Sequence, residues 1–177
     1  MEVEERSNGE RLLTFEVAGA VYALPINSVL EVAEADRLRC VPSLPGGCGG
    51  VMNWHGDALP VVTPKLVLSS EEGDPLLGEG LESVVSSEHV LVVSDPTGQW
   101  ARLGVPIDRV LGLVEAKDTP GRGRGLVIER RPVDGRVVSV LDPGQLVARA
   151  IEVIERAVAL TGRYQRERGY EASSDRG

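Results

Sequence analysis

Turns placed at short intervals constrain this chain more than anything else in it. Runs of Val, Leu, Ile and Ala stop at Ala18-Gly19-Ala20, at His55-Gly56-Asp57, at Asp95-Pro96-Thr97-Gly98 and at Val133-Asp134-Gly135, and each time an apolar run soon resumes. Glycine enters positive φ at no steric cost, which tight hairpin turns require, and Pro in the second place of Asp-Pro-x-Gly presets a type I turn. A chain turned back so often lays down short strands rather than long helices. Composition agrees: 21 Gly and 11 Pro accompany a 42% hydrophobic content, mostly Val, Leu, Ala and Ile, with only 3% aromatic residues.

Between the turns, strands are predicted over Leu12–Val17, Val21–Ile26, Val51–Trp54, Ala58–Val62, His89–Ser94, Trp100–Ile107, Val110–Val114, Leu126–Arg130 and Arg136–Leu141. The segment NSVLEVAE at 27–34 is ambiguous by period. The acidic, Ser- and Gly-rich stretch 69–88 has the composition of an exposed connector. It divides about ten strands into two groups of roughly five.

Only the last part of the chain is helical by pattern. Asp142 suits an N-cap, Pro143 the first helical position, and Val147, Ala150, Ile151, Ile154 and Val158 fall on one apolar face, with Gly162 as a stop. The domain expected from this runs over 11–160, followed by a polar, disordered tail at 161–177.

The net charge of -8 argues against a nucleic-acid partner, since phosphate binders gather Lys and Arg on one face. The basic cluster GRGRGLVIERR at 121–131 reads as a solvated loop. No apolar stretch is long enough to span a bilayer, and the acidic start of the chain is unlike a signal peptide, so a cytoplasmic location is expected. Cys40 and Cys48 are too few for a disulfide framework and read as free thiols.

Cys48, His55 and Asp57 lie close together in GGCGGVMNWHGDALPVV at 46–62. A strand rises about 3.3 Å per residue, however, and carries Cys48 away from His55, while nothing near Cys48 would stabilise a thiolate. No HxH, HxxxH or CxxC pair fixes two metal ligands on one face, and no Walker or GxGxxG pattern holds a phosphate. Neither catalytic residues nor a metal or cofactor is therefore expected. Trp54 and Trp100 read first as core residues, with partner anchoring as the functional alternative.

The order of motifs resembles the CheW family, the coupling proteins of bacterial chemotaxis, and the matching regulatory domain of the CheA kinase. The resemblance rests on LLTFEVAGAVYALPINSVLEV at 12–32, VPSLPGGCGGVMNWHGDALPVV at 41–62, HVLVVSDPTGQWARLGVPIDRVLGLV at 89–114 and GRVVSVLD at 135–142. Gly50, Val51, Asn53, Gly56 and Pro60 to Val62 fit the family's Gly-Val-x-Asn-x-Arg-Gly and the strand after it; Gly104, Asp108 and Val110 fit a second motif.

The resemblance implies a mainly β fold of two five-stranded SH3-like barrels with a C-terminal helix. It implies a non-enzymatic adaptor that joins the cytoplasmic tip of a methyl-accepting chemoreceptor to a CheA-type histidine kinase regulatory domain, recruited to receptor arrays through these partners. By position, Val29 and Glu31 fall on one partner surface, Asn53, His55 and Gly56 at the receptor-facing turn, and Ile107, Asp108 and Val110 on the second barrel. Three departures stand out: His55 for Arg, Thr63-Pro64 for Asp-Leu, and Lys65 for Arg. They point to a partner set outside flagellar chemotaxis, in motility or developmental signalling. Pro64 has no N–H, so its strand is expected to stop early or to lie at an edge. The competing reading is a diverged double barrel that senses a small ligand, and the long helix offers a face for packing on the barrels or for self-association.

Overall fold

Each predicted hairpin turn is where the chain reverses. In the computed structural model, which describes residues 11–35, 38–40, 49–68, 87–116 and 125–174, strand β1 (Arg11–Val17) turns through Ala18 and Gly19, at φ 49° and 79°, into β2 (Ala20–Pro25). A single 3-10 turn at Ile26–Ser28 leads into β3 (Val29–Glu34), which settles the ambiguous segment as a strand. Then come β4 (Leu38–Cys40), β5 (Gly49–Trp54), β6 (Asp57–Val62) and the short helix α1 (Pro64–Leu68). Strands β7 (His89–Ser94), β8 (Ala101–Ile107), β9 (Arg109–Glu115), β10 (Val127–Val133) and β11 (Arg136–Leu141) precede the helix α2 (Pro143–Ser174).

The strands form two sheets, one of five in the order β10-β11-β2-β1-β9 and one of six in the order β3-β7-β8-β6-β5-β4. The three-residue β4 is the strand beyond the expected five. The division at the connector is corrected here. The five-stranded sheet takes both ends of the chain, with β1 antiparallel to β9 and β2 parallel to β11, whereas the six-stranded sheet takes the middle.

Burial explains the interleaving. Leu12 of β1 faces a core with Val21, Ala23, Val138 and Val140, while Leu13 and Phe15 face the largest core, shared by both sheets. In β7, Val90 and Val92 face Met52, Leu59 and Val61, while Leu91 and Val93 point into the shared core. Strands buried on both faces must be interior ones, and their near-continuous apolar runs record it. They draw neighbours from whichever half of the chain supplies them. Gly104 sits where β8 meets β6, paired with Val61; a Cβ there would lie 2.8 Å from the methyls of both Val61 and Val90.

Strand β6 stops at Val62, as Pro64 predicts, and Pro64 opens α1 with the Leu66 N–H donating to the Thr63 carbonyl at 3.0 Å. At the start of α2 the Asp142 carboxylate accepts from the Gln145 N–H at 2.8 Å, the predicted cap. Of two expectations for α2, one fails and one holds in part. The helix runs through Gly162 to Ser174, because one glycine costs a helix only about 1 kcal/mol. Its buried face is Leu146, Ala150, Val153 and Ala157; of the predicted stripe, Ala150 is buried and Val147 and Ile154 pack half-buried on the shared core, whereas Ile151 and Val158 are exposed. The connector at 69–86, Cys48 and the glycine-rich part of the basic cluster at 121–124 lie outside the described residues.

Candidate functional site

The β5–β6 hairpin is built to hold one exposed side chain at its tip. His55 and Gly56 both have positive φ, 50° and 96°, the backbone of a two-residue turn matched to strand twist. Histidine is among the few side chains that tolerate this region. Asn53 closes the turn from below, its Oδ1 accepting from the Gly56 N–H at 3.0 Å. Asn53, His55 and Gly56 therefore form one local unit.

Glu31 of β3 reaches this unit. Its Oε2 accepts from Trp54 Nε1 at 2.9 Å and lies 3.1 Å from His55 Nε2, while the Trp54 and His55 rings meet edge to face at 4.6 Å. Three strands separate β3 from β5 in the sheet order, so these contacts require the six-stranded sheet to curl until β3 comes back over β5. The His55 side chain remains 66% exposed. Beside it, an open hollow of about 750 Å3 runs along the hairpin past Met52, Asn53 and Asp57.

The second group of expected residues divides. Ile107 is wholly buried in the shared core and offers no surface, a correction that follows from β8 being an interior strand. Asp108 links the two sheets. Its N–H donates to the Glu16 carbonyl at 2.9 Å, and its carboxylate accepts from the Ala18 N–H at 2.7 Å, fixing the β1–β2 turn. Val110 is exposed on β9, an edge strand, with Leu111 and Leu113 exposed beside it. Val29 is half-buried against the shared core rather than free on a surface. The structure thus gathers Glu31, Asn53, His55 and Gly56 at one hairpin of the six-stranded sheet, and places Val110 on the other sheet.

Three features escaped the sequence reading. Glu16 lies between Arg136 at 2.9 Å and Arg109 at 3.2 Å, and hydrogen bonds from these guanidiniums, Arg136 first, hold its carboxyl below its ordinary range. No local pattern signals a triad drawn from β1, β9 and β11. Trp100 is 67% exposed, so core packing does not describe it. The Asp95 carboxylate fixes that turn, accepting from Thr97 Oγ1 and from the Gln99 and Trp100 N–H groups; burial pushes its pKa up, but these hydrogen bonds together hold it lowered. Lastly, the apolar run on β9 was legible as a strand but not as an edge.

The curled sheet, the shared core and the hairpin order together call for comparison with known folds. Residues 11–150 match the model of the CheW-like domain. The chain belongs to the CheW-like domain family. This is a family of scaffolding modules of chemotaxis signalling. Among solved structures, the scaffolding protein TtCheW from Thermoanaerobacter tengcongensis is similar over 76% of this chain and 89% of its own, at 19% identity and a TM-score of 0.55, which shows a common CheW-like fold. No curated protein gives a significant sequence match. Among the described residues, no helix is long and apolar enough to cross a membrane.

Proposed function

We propose that this CheW-like protein is a non-enzymatic coupling scaffold, a cytoplasmic adaptor that holds a chemoreceptor tip and the regulatory domain of a CheA-type kinase on one body. The observation that carries the reading is the β5–β6 turn, where His55 stands exposed on a rigid hairpin backed by Glu31 and Trp54, at the position the family resemblance gives to receptor contact. Exposed Val110, Leu111 and Leu113 on β9, an edge strand among the described residues, supply a second, apolar surface on the other sheet, suited to a protein partner. Two surfaces on sheets that share one core would be held at a fixed distance and angle, which is what a coupler contributes.

Histidine at the turn changes what the receptor must offer. Arginine would present a permanent charge and a two-pronged donor to a carboxylate, whereas imidazole presents one donor at a time and no fixed charge. Glu31, 3.1 Å away, already occupies its Nε2. The matching receptor surface is therefore polar or aromatic rather than strongly acidic, consistent with a pathway of motility or development other than flagellar chemotaxis. The open hollow beside the turn fits a protruding partner side chain better than an enclosed small ligand.

Titration of the full chain with the receptor-tip fragment and kinase regulatory domain from the same genome tests this. Binding of both at micromolar levels is expected, with His55→Ala weakening the receptor arm alone. Failure of both to bind would overturn the proposal.

A further inference from the structure

Glu31 does more at the β5–β6 turn than back an exposed ring, because its contacts fix which nitrogen of His55 carries the proton. Its Oε2 accepts at 2.9 Å from Trp54 Nε1, an atom that can only donate, and the same oxygen lies 3.1 Å from His55 Nε2. A carboxylate oxygen only accepts, so a hydrogen bond between this pair requires the proton on Nε2. A neutral imidazole has one N–H. With Nε2 holding it, Nδ1 is left as a bare acceptor on a side chain that is 66% exposed, and among the described residues nothing bonds to it.

The surroundings have the same polarity. Asp57 follows in the turn, and Asn53 gives its Oδ1 to the Gly56 N–H. Glu34 stands three residues along β3 from Glu31, and Arg39 of β4 lies opposite Val51, four residues down the hairpin from His55. The two charges closest in the hairpin unit, Glu31 and Asp57, are thus both negative, and the hollow lined by Asn53, His55 and Asp57 is open to a partner side chain. An arginine here would carry donors and no acceptor, so histidine inverts the polarity of the turn.

We infer that His55 recognises an N–H donor of its partner through Nδ1, that Glu31 is the positioning residue holding the ring in its Nε2–H form, and that protonation of the ring switches the site off. This rests on the coupling role and narrows the partner's polar surface to a donor. An imidazole changes charge between about pH 5 and pH 8, and an imidazolium donates from both nitrogens. The contact is therefore present on the alkaline side, where the ring is neutral, and is lost as pH falls through its titration. In acid the partner's donor meets another N–H and a positive charge, while Glu31 keeps its bond to Nε2 and the turn need not move.

Two measurements on the full chain test this. Imidazole 15N NMR reads the tautomer with no partner present, and because the chain has two histidines, His55→Asn assigns the signal. At about pH 8, where a histidine is neutral, His55 is expected in the Nε2–H form, and Glu31→Gln is expected to give mixed tautomers because an amide can meet either nitrogen. A parent in the Nδ1–H form, or a signal unchanged by Glu31→Gln, overturns the inference. Titration with the receptor-tip fragment from the same genome reads the partner. Parent affinity is expected to fall at least tenfold from about pH 8 to about pH 5.5, and His55→Asn, whose amide does not titrate, to show no such step. At the upper pH His55→Arg is expected to bind at least tenfold more weakly than the parent. A parent profile as flat as that of His55→Asn, or an arginine variant that binds as well as the parent, also overturns the inference. Absence of binding at every pH overturns the coupling role and this inference with it; the tautomer signal, read without a partner, tells that failure apart from a failure of Glu31 to fix the ring.

Discussion

A single hydrogen atom's worth of side chain matters at Gly104. Any Cβ would press on Val61 and Val90 where β8 meets β6, and neither neighbour is at the free end of a flexible side chain. Overpacking of this kind costs roughly 1–3 kcal/mol. Gly104→Ala is therefore expected to lower the free energy of unfolding by that much, read as a lower denaturant midpoint at an unchanged slope; an unaltered midpoint would mean the sheets give way more easily than their burial implies. At Glu16 the expectation concerns pH. Its folded-state carboxyl is lowered below the ordinary 4.5 by Arg136 and Arg109, so its contribution to stability is fully present above that value and is lost as pH falls through the lowered one. Melting curves of the parent and Glu16→Gln should differ most near neutrality and converge on the acid side. Divergence in acid would contradict the pairing.

At the scale of the element, β9 is where stability and binding separate. Leu113 is exposed on β9, so, on the proposed coupling role with the kinase regulatory domain taken at this strand, Leu113→Lys is expected to change the melting temperature little while weakening capture of that domain about tenfold, the loss of one apolar contact at an interface centre. Equal binding by parent and variant would move the kinase surface elsewhere. Strands, turns and the α2 cap were legible in the sequence because each is set by residues a few positions apart: Gly56 beneath His55, Pro64 ending β6, Asp142 capping Gln145. The face of α2 was legible only in part, Ala150 being buried and Ile151 and Val158 exposed, because apolar residues spread around the helix and periodicity cannot fix the centre of the face that meets the core. Ile107 was misassigned for a related reason, since a residue in a family motif can be there for packing. Glu31 and His55 were expected at different places, one on a partner surface with Val29 and the other at the receptor-facing turn, and their meeting beside Trp54 depends on the curl of the sheet.

For the whole molecule, the strand order matters most. Strands from before and after the acidic connector are mixed within each sheet, so neither half holds a complete core. Separate fragments 1–68 and 87–177 are expected to be unfolded alone and to regain strand circular dichroism when mixed. A folded fragment would show that one sheet can close without the other. The two-barrel picture was correct in kind, yet composition placed the boundary at the connector because exposed linkers usually separate domains; here it joins strands of one fold.

The parallel pairing of β2 with β11 carries a consequence for synthesis. Val21 to Ala23 leave the ribosome long before Val138 to Val140, the residues that pair with them. The middle of the chain can assemble its sheet while the rest is still being made, but β2 must wait with one edge bare. A ribosome that stalls before residue 136 therefore leaves a nascent chain with an open strand edge at Val21 to Ala23, a product marked for aggregation or for the chaperones that prevent it.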